Sequence, residues 1–160
     1  MKDFLMFRSA KHPVVKDCIE RINKEYTDYI IWLCIQEQCI NIYSDYNNIK
    51  FIVFPNGMFN YDRTSRDNKI LSELTKKEFD KIYIPYSTQV PRCEEIEKII
   101  VRLLHKKRAV YCSLNGNMDN KKIYISKIKP KKIIENIYNL IDYNIMKIIY
   151  LFFSRRKKND

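Results

Sequence analysis

The side chains in this sequence best able to bind a ligand follow short apolar runs. Arg8 and Ser9 come after residues 3–7. Asn56, Tyr61, Arg63 and Arg66 come after residues 51–54, and Tyr86, Ser87 and Gln89 after residues 81–85. A mixture of guanidinium, phenol, hydroxyl and amide groups suits hydroxyl-rich or anionic ligands. Strand-end loops of any α/β domain are also polar, so the same residues read equally well as ordinary solvent-facing loops.

Recognisable catalytic motifs are absent. Residues 8–13 contain neither GxGxxG nor GxxxxGK[ST], which argues against a dinucleotide or Walker site, and no serine sits in a GxSxG elbow. The chain has only two glycines, Gly57 and Gly116, so it has little backbone suited to cradling phosphates. His12 is a candidate base, or a surface residue ahead of a helix, with no carboxylate partner visible beside it. Glu94, Glu95 and Glu97 open a helix that His105 closes, as the helix dipole favours. Cys18, Cys34, Cys39, Cys93 and Cys112 form no CxxC pair and no zinc-ligand spacing, and read as buried reduced thiols. Neither a metal nor a cofactor is expected.

These residues need a scaffold, and the apolar pattern supplies one. Residues 3–7, 29–35, 51–54, 81–85 and 109–114 read as buried strands, with a further strand at 122–125. Pro13 opens a helix to about Tyr26, with Val14, Cys18 and Ile22 as its core stripe. A short helix follows near residues 37–43 and another near 68–77, with Ile70, Leu71 and Leu74 inward. A fourth covers 93–105, with Ile96, Ile99, Ile100, Leu103 and Leu104 on its apolar face. Residues 58–67 read as a polar loop. Continuous apolar strands alternating with helices imply a mostly parallel, doubly wound Rossmann-like sheet of five or six strands, in order 3-2-1-4-5. In such a sheet ligands bind beyond the carboxyl ends of the strands, where the residues above lie.

The strand ends Phe7-Arg8-Ser9, Phe54-Pro55-Asn56-Gly57-Met58-Phe59-Asn60-Tyr61 and Tyr83-Ile84-Pro85-Tyr86-Ser87 resemble the N-terminal half of heptosyltransferase-type glycosyltransferases over residues 1–116. That family has the GT-B fold, in which one Rossmann-like domain holds the acceptor and a second holds the nucleotide-sugar. The resemblance implies acceptor-cleft positions at Arg8, Ser9, Tyr61, Tyr86 and Ser87. Arg8 and Arg63 are the expected anion contacts, and Tyr61, Tyr86 and Ser87 the expected sugar contacts. The first loop departs from the family in lacking its glycine-containing turn and acidic residue. No donor-binding half follows, so the expectation is an acceptor-type half needing a partner, a degenerate relative, or a fragment.

The chain is expected to divide into 1–128 and 129–160, and charge is concentrated near that division, with residues 1–120 carrying only +3. Of the net +11, eight charges fall in residues 121–160, which hold eleven Lys or Arg against three Asp or Glu. Residues 131–153 are expected to form one helix, about 34 Å long at the usual rise. Its apolar arc includes Ile145, Ile148, Ile149, Phe152 and Phe153, and the basic run Arg155, Arg156, Lys157 and Lys158 closes it. Three roles stay open: packing on the sheet, lying in an anionic membrane surface, or meeting a second protein subunit. A full span is disfavoured by Asn139, Asp142, Asn144 and Lys147. No secretory leader is expected, because the first nine residues run directly into a charged helix.

The leading expectation is a glycosyltransferase-like domain in surface-polysaccharide assembly, cytoplasmic and peripheral at the inner membrane face. Its partners would be a nucleotide-sugar or saccharide acceptor. The alternative is a non-catalytic module binding protein or membrane. Nucleic-acid binding ranks third, since no recognition motif accompanies the basic charge.

Overall fold

A computed structural model describes residues 1–87, 93–114, 116 and 118–124. The division at residue 128 and the membrane or partner contacts expected at Ile145, Ile148, Ile149, Phe152, Phe153, Arg155, Arg156, Lys157 and Lys158 lie outside the described residues, as does Gln89.

The strands are β1 (Lys2–Phe7), β2 (Tyr29–Gln36), β3 (Ile49–Phe54), β4 (Lys81–Tyr86), β5 (Arg108–Ser113) and β6 (Met118–Lys122). The helices are α1 (His12–Glu25), α2 (Tyr61–Thr64), α3 (Asn68–Thr75) and α4 (Glu94–Arg102), with a 3-10 turn at Glu37–Ile42. The sheet order is β3-β2-β1-β4-β5-β6. Its first five members are parallel, and β6 is antiparallel to β5. The chain therefore has the expected mostly parallel, Rossmann-like α/β sheet, with the expected order of the parallel strands.

The period of two along a strand covered on both faces explains why β1 is apolar from Phe4 to Phe7. Phe4 and Met6 enter the layer formed with α1, where Val14, Val15, Cys18, Ile19 and Ile22 are buried. Leu5 and Phe7 enter the opposite layer with Ile70 and Leu74 of α3 and Ile96, Ile99 and Ile100 of α4. All five cysteines are buried and free. A side chain caps the start of α3. Asp67 accepts from the Lys69 and Ile70 N–H groups at the start of α3, both at 3.1 Å.

Three local expectations need correction. The sixth strand is Met118–Lys122, not residues 122–125, because the turn after Ser113 sets the hairpin register Cys112↔Met118 before the apolar Ile123 is reached. Residues 58–67 contain α2, whose N-cap Asn60 accepts from the Arg63 N–H at 2.9 Å. Helix α4 ends at Arg102 and does not extend to His105. There the Lys106 N–H bonds to the Ile100 carbonyl, with His105 at φ 53° in the left-handed region. The last-turn cation is thus Arg102. Leu71, Leu103 and Leu104 are only half-buried.

Two polar groups, the buried Tyr83 hydroxyl and the half-buried Asp3 carboxylate, yield predictions. The Tyr83 hydroxyl lies in the α1 layer without a hydrogen-bond partner among the described residues. Tyr83→Phe removes an unsatisfied group without changing shape, so urea denaturation is expected to show stability unchanged or raised, by about 1 kcal/mol at most. A clear loss would show that the hydroxyl has a partner. At the start of β1, Asp3 accepts from Trp32 Nε1 at 2.5 Å and from Lys77 Nζ at 3.2 Å. Burial pushes this carboxyl up, but the hydrogen bonds from Trp32 and Lys77 outweigh it and hold the group below its ordinary value. A depressed carboxylate contributes stability above its unfolded pKa of about 3.9, and that contribution is lost as pH falls through the lower folded value. Asp3→Asn should therefore lower stability at pH 7 and flatten its decline in acid. Parallel pH curves for the two proteins would contradict this.

Candidate functional site

The first βα loop stands where the sheet reverses direction, with β2 on one side of β1 and β4 on the other. Its two polar side chains reach opposite ways. Arg8 continues the β1–β2 ladder through its own N–H, bonded to the Cys34 carbonyl at 3.0 Å. Its guanidinium then donates from Nε and Nη2 to Gln36 Oε1, the former at 3.0 Å. Ser9 Oγ donates to the Pro85 carbonyl at the end of β4.

Gln36 extends this link to the third strand. Its Nε2 donates to the Gly57 carbonyl at 2.9 Å, and the residue is only 3% exposed. Gly57 has φ 112°, a conformation that L side chains rarely adopt. One buried amide thus joins the ends of β1 and β2 to the turn after β3. Arg8 has no carboxylate partner among the described residues, and three of its five guanidinium N–H bonds remain for other acceptors.

These groups form one wall of a cleft of about 610 Å³. Arg8, Ser9, Ala10 and Gln36 line it from the strand ends, Gly57, Met58 and Phe59 from the third loop, and Cys93 to Ile96 from the start of α4. Met58 is 92% exposed. The two cleft glutamates differ in commitment. Glu95 accepts from the Tyr61 N–H at 2.9 Å and pairs with Lys98, and hydrogen bonds from Lys98 and then Tyr61 hold its carboxyl low. Glu94 is exposed, with no ion pair among the described residues. The Cys93 thiol is pushed up to about 11 by burial, then by Glu97, so it stays protonated near neutral pH.

The other site residues named from sequence are dispersed around this cleft. Asn56 is exposed beside Gly57, and its carbonyl lies 3.5 Å from Arg63 Nη1. Arg63 belongs to a shallow surface with Asp62, Arg66, Asp67 and Asn68. Tyr61 lies under the Arg102 guanidinium, 5.1 Å from ring centre to Cζ. Tyr86 packs edge-on against Tyr111 at 6.5 Å, and Ser87 is exposed. Of the nine ligand-binding candidates named from the sequence, Arg8 and Ser9 line the cleft, and Gln89 lies outside the described residues. Gln36, Glu94 and Glu95 were not named as cleft contacts from the sequence. A lone amide closing an otherwise apolar strand was the available signal for Gln36.

His12 is outside the cleft lining. Its Nδ1 lies 2.9 Å from the Tyr43 hydroxyl, and Tyr43 is fully buried. Burial lowers the imidazole pKa, with Arg8 and Lys16 adding to the effect, so the ring is neutral near pH 7. Burial pushes the Tyr43 phenol up to about 12. Among the described residues no group of three or more His, Cys, Asp or Glu is placed to hold a metal ion. No described helix is long and apolar enough to cross a membrane.

The Arg8–Gln36 link is open to a double-mutant cycle. Arg8→Leu strands the buried Gln36 oxygen, and Gln36→Leu removes the guanidinium's anchor. Each should cost about 1–3 kcal/mol in urea denaturation, and the double variant should cost clearly less than their sum. Strict additivity would mean that the two side chains do not act as a unit.

Comparison of the chain with protein-family models, with curated proteins and with solved structures returns no match.

Proposed function

We propose that this domain binds a hydroxyl-rich, anionic small molecule in the cleft at the end of β1. We further propose that it serves as the acceptor-side domain of a glycosyl transfer. The observation that carries the reading is the Arg8 guanidinium, oriented by Gln36 at the reversal point of the sheet and lacking a carboxylate partner among the described residues. Such a group suits phosphate or carboxylate oxygens. Glu94 on the opposite wall offers a charged acceptor for sugar hydroxyls, and Phe59 and Met58 supply apolar surface for a ring face.

In the reaction proposed, an acceptor hydroxyl oxygen attacks the anomeric carbon of a nucleotide-sugar. The bond from that carbon to the diphosphate breaks, and the hydroxyl proton passes to a base. Arg8 and Ser9 would hold the acceptor, with Tyr61, Tyr86 and Ser87 as the outer contacts implied by the family resemblance. Arg63 is the second anion contact of that reading. The donor would be brought by a second domain or subunit, whose basic groups or helix N-termini stabilise the leaving diphosphate.

A non-catalytic binding module is the second reading. It is favoured by how few groups in the cleft remain free for proton transfer: Glu95 is paired and Cys93 is protonated. The membrane-surface and surface-polysaccharide setting belongs to the proposal as well.

Calorimetric titration of the full chain separates these readings from an unrelated use of the fold. Sugar phosphates or acidic oligosaccharides should bind, and Arg8→Ala should weaken them by about tenfold or more, as loss of a charge-assisted contact implies. A saturating nucleotide-sugar should leave the melting temperature unmoved. Binding of those saccharides unaffected by Arg8→Ala, or no binding at all, would reject the cleft as an acceptor site.

A further inference from the structure

The amino edge of the sheet carries charge unevenly. Near β1 and β2, Lys77 pairs with Asp3, Lys81 with Glu25, and the chain's amino group with Asp28, while Lys2 and Lys50 lie over the Tyr26 and Trp32 rings. The β5–β6 corner is different. There Lys106 pairs with Glu78 and Lys121 with Asp119, which leaves Lys107, Arg108 and Lys122 without a carboxylate partner among the described residues. All three are exposed.

Two of them are placed against each other by the fold. The hairpin register sets Arg108 directly opposite Lys122, an arrangement that disfavours the pair unless something negative lies between or over the two charges. Arg108 turns to neutral oxygens instead, with Nε 3.2 Å from Asn120 Oδ1 and Nη2 3.1 Å from the Asn120 carbonyl. Beside this pair is a cleft of about 450 Å³, whose lining includes Lys81, His105, Lys106, Lys107 and Arg108. Next to Lys122, Tyr124 is 77% exposed with the Lys122 ammonium 5.6 Å from its ring centre. An apolar ring with a polar tip is the side chain favoured at the headgroup level of a bilayer.

We propose that the β5–β6 corner docks on the anionic phosphates of a bilayer surface. Charge complementarity and chain continuity both favour that occupant. The sequence continues from Tyr124 into a segment with a large excess of Lys and Arg around an apolar run at residues 137–153. Lys107, Arg108 and Lys122 thus extend onto the folded domain the same chemistry that the following sequence carries. A nucleic acid is a poorer fit. Non-specific duplex binding relies on neutralising a row of phosphates, whereas three uncompensated charges sit here in one corner. Docked this way, the domain holds its strands' carboxyl ends away from the lipid, so the Arg8 cleft takes its ligand from solution. The proposal does not depend on what that cleft binds.

The test is co-sedimentation of the full chain with vesicles of phosphatidylcholine alone or with phosphatidylglycerol added. The variant Lys107→Glu/Arg108→Glu/Lys122→Glu is compared with Lys11→Glu/Arg66→Glu/Lys69→Glu, which makes the same charge change at the carboxyl edge. Each basic group near an anionic leaflet contributes roughly fivefold in partitioning. The corner variant should therefore lose at least tenfold on anionic vesicles while the control loses much less, and neither protein should bind phosphatidylcholine. Lys122→Glu alone, which turns a like-charged cross-strand pair into an opposite one, should fold at least as stably as the parent and still bind about fivefold more weakly or worse. Equal losses in corner and control variants would reduce the effect to net charge and overturn the proposal. So would corner variants that bind like the parent. Tighter binding of mixed-sequence duplex DNA at the same salt, abolished by the corner variant, would reassign the face to nucleic acid.

Discussion

The carboxyl edge of this sheet depends on where the Gln36 side chain finds partners once β2 has carried it out of water. A primary amide has a carbonyl acceptor and two donors, and each left unmade in a buried place is costly. The acceptor is met by Arg8, and one donor is met by the Gly57 carbonyl. Those partners fix more than the amide itself. Arg8 must cross from β1 toward β2, which frees Ser9 to tie the same loop to the end of β4. Gly57 must turn its carbonyl inward, and it does so from a left-handed conformation that glycine adopts at least cost. One wall of the cleft is therefore a consequence of satisfying one buried polar group.

Parallel strands separate two kinds of polar surface. Their carboxyl ends hold the cleft, where a fixed guanidinium and a glutamate with no ion pair among the described residues face a partly apolar wall. At their amino ends Lys77, Lys81 and the chain's amino group are ion-paired and Lys2 and Lys50 lie over aromatic rings, whereas at the β5–β6 corner three clustered cations lack a carboxylate partner among the described residues. A strand of six residues spans about 20 Å, and charges separated by more than a screening length of about 10 Å barely influence each other at 0.1 M salt. The edges therefore act as independent electrostatic surfaces. Whatever approaches the basic corner does not alter the charge state of the Arg8 cleft.

The parallel sheet was legible because its strands are buried on both faces and so appear as unbroken apolar runs. Phe4, Leu5, Met6 and Phe7 show this most clearly. Strand order followed from right-handed crossovers over helices of readable periodicity, such as Ile70 and Leu74 in α3. The failures have local causes. At β6 the turn geometry outranked apolar content, so Met118–Lys122 paired and Ile123 became a buried residue after the strand. In α4 the stripe of Leu103 and Leu104 outlasted the helix, because the Lys106–Ile100 bond and the left-handed His105 end it early. Tyr61 lies in a one-turn helix too short to leave a period. Of the candidate site, sequence placed Arg8 and Ser9 at the correct edge. It did not supply the cleft wall from α4, since packing a helix terminus against a strand end is a tertiary event with no local pattern.

What the cleft does chemically is decided by which groups remain uncommitted. His12, the one histidine near the first loop, shares a hydrogen bond with a fully buried Tyr43 and does not line the cleft. Glu95 is held charged by Lys98 and by a backbone N–H, so taking up a proton would cost it both contacts. The Cys93 thiol is kept protonated by burial, which removes it as a nucleophile near neutral pH. Tyr111 is engaged with Glu97. Among the described residues, that leaves Arg8 to attract negative charge and Glu94 to accept a proton or a hydroxyl. One cation and one carboxylate at the rim of an open cleft can orient a polar ligand, but neither is desolvated enough to drive a difficult step by itself. Under the function proposed above, such a surface would position a ligand and leave the bond-breaking groups to a partner.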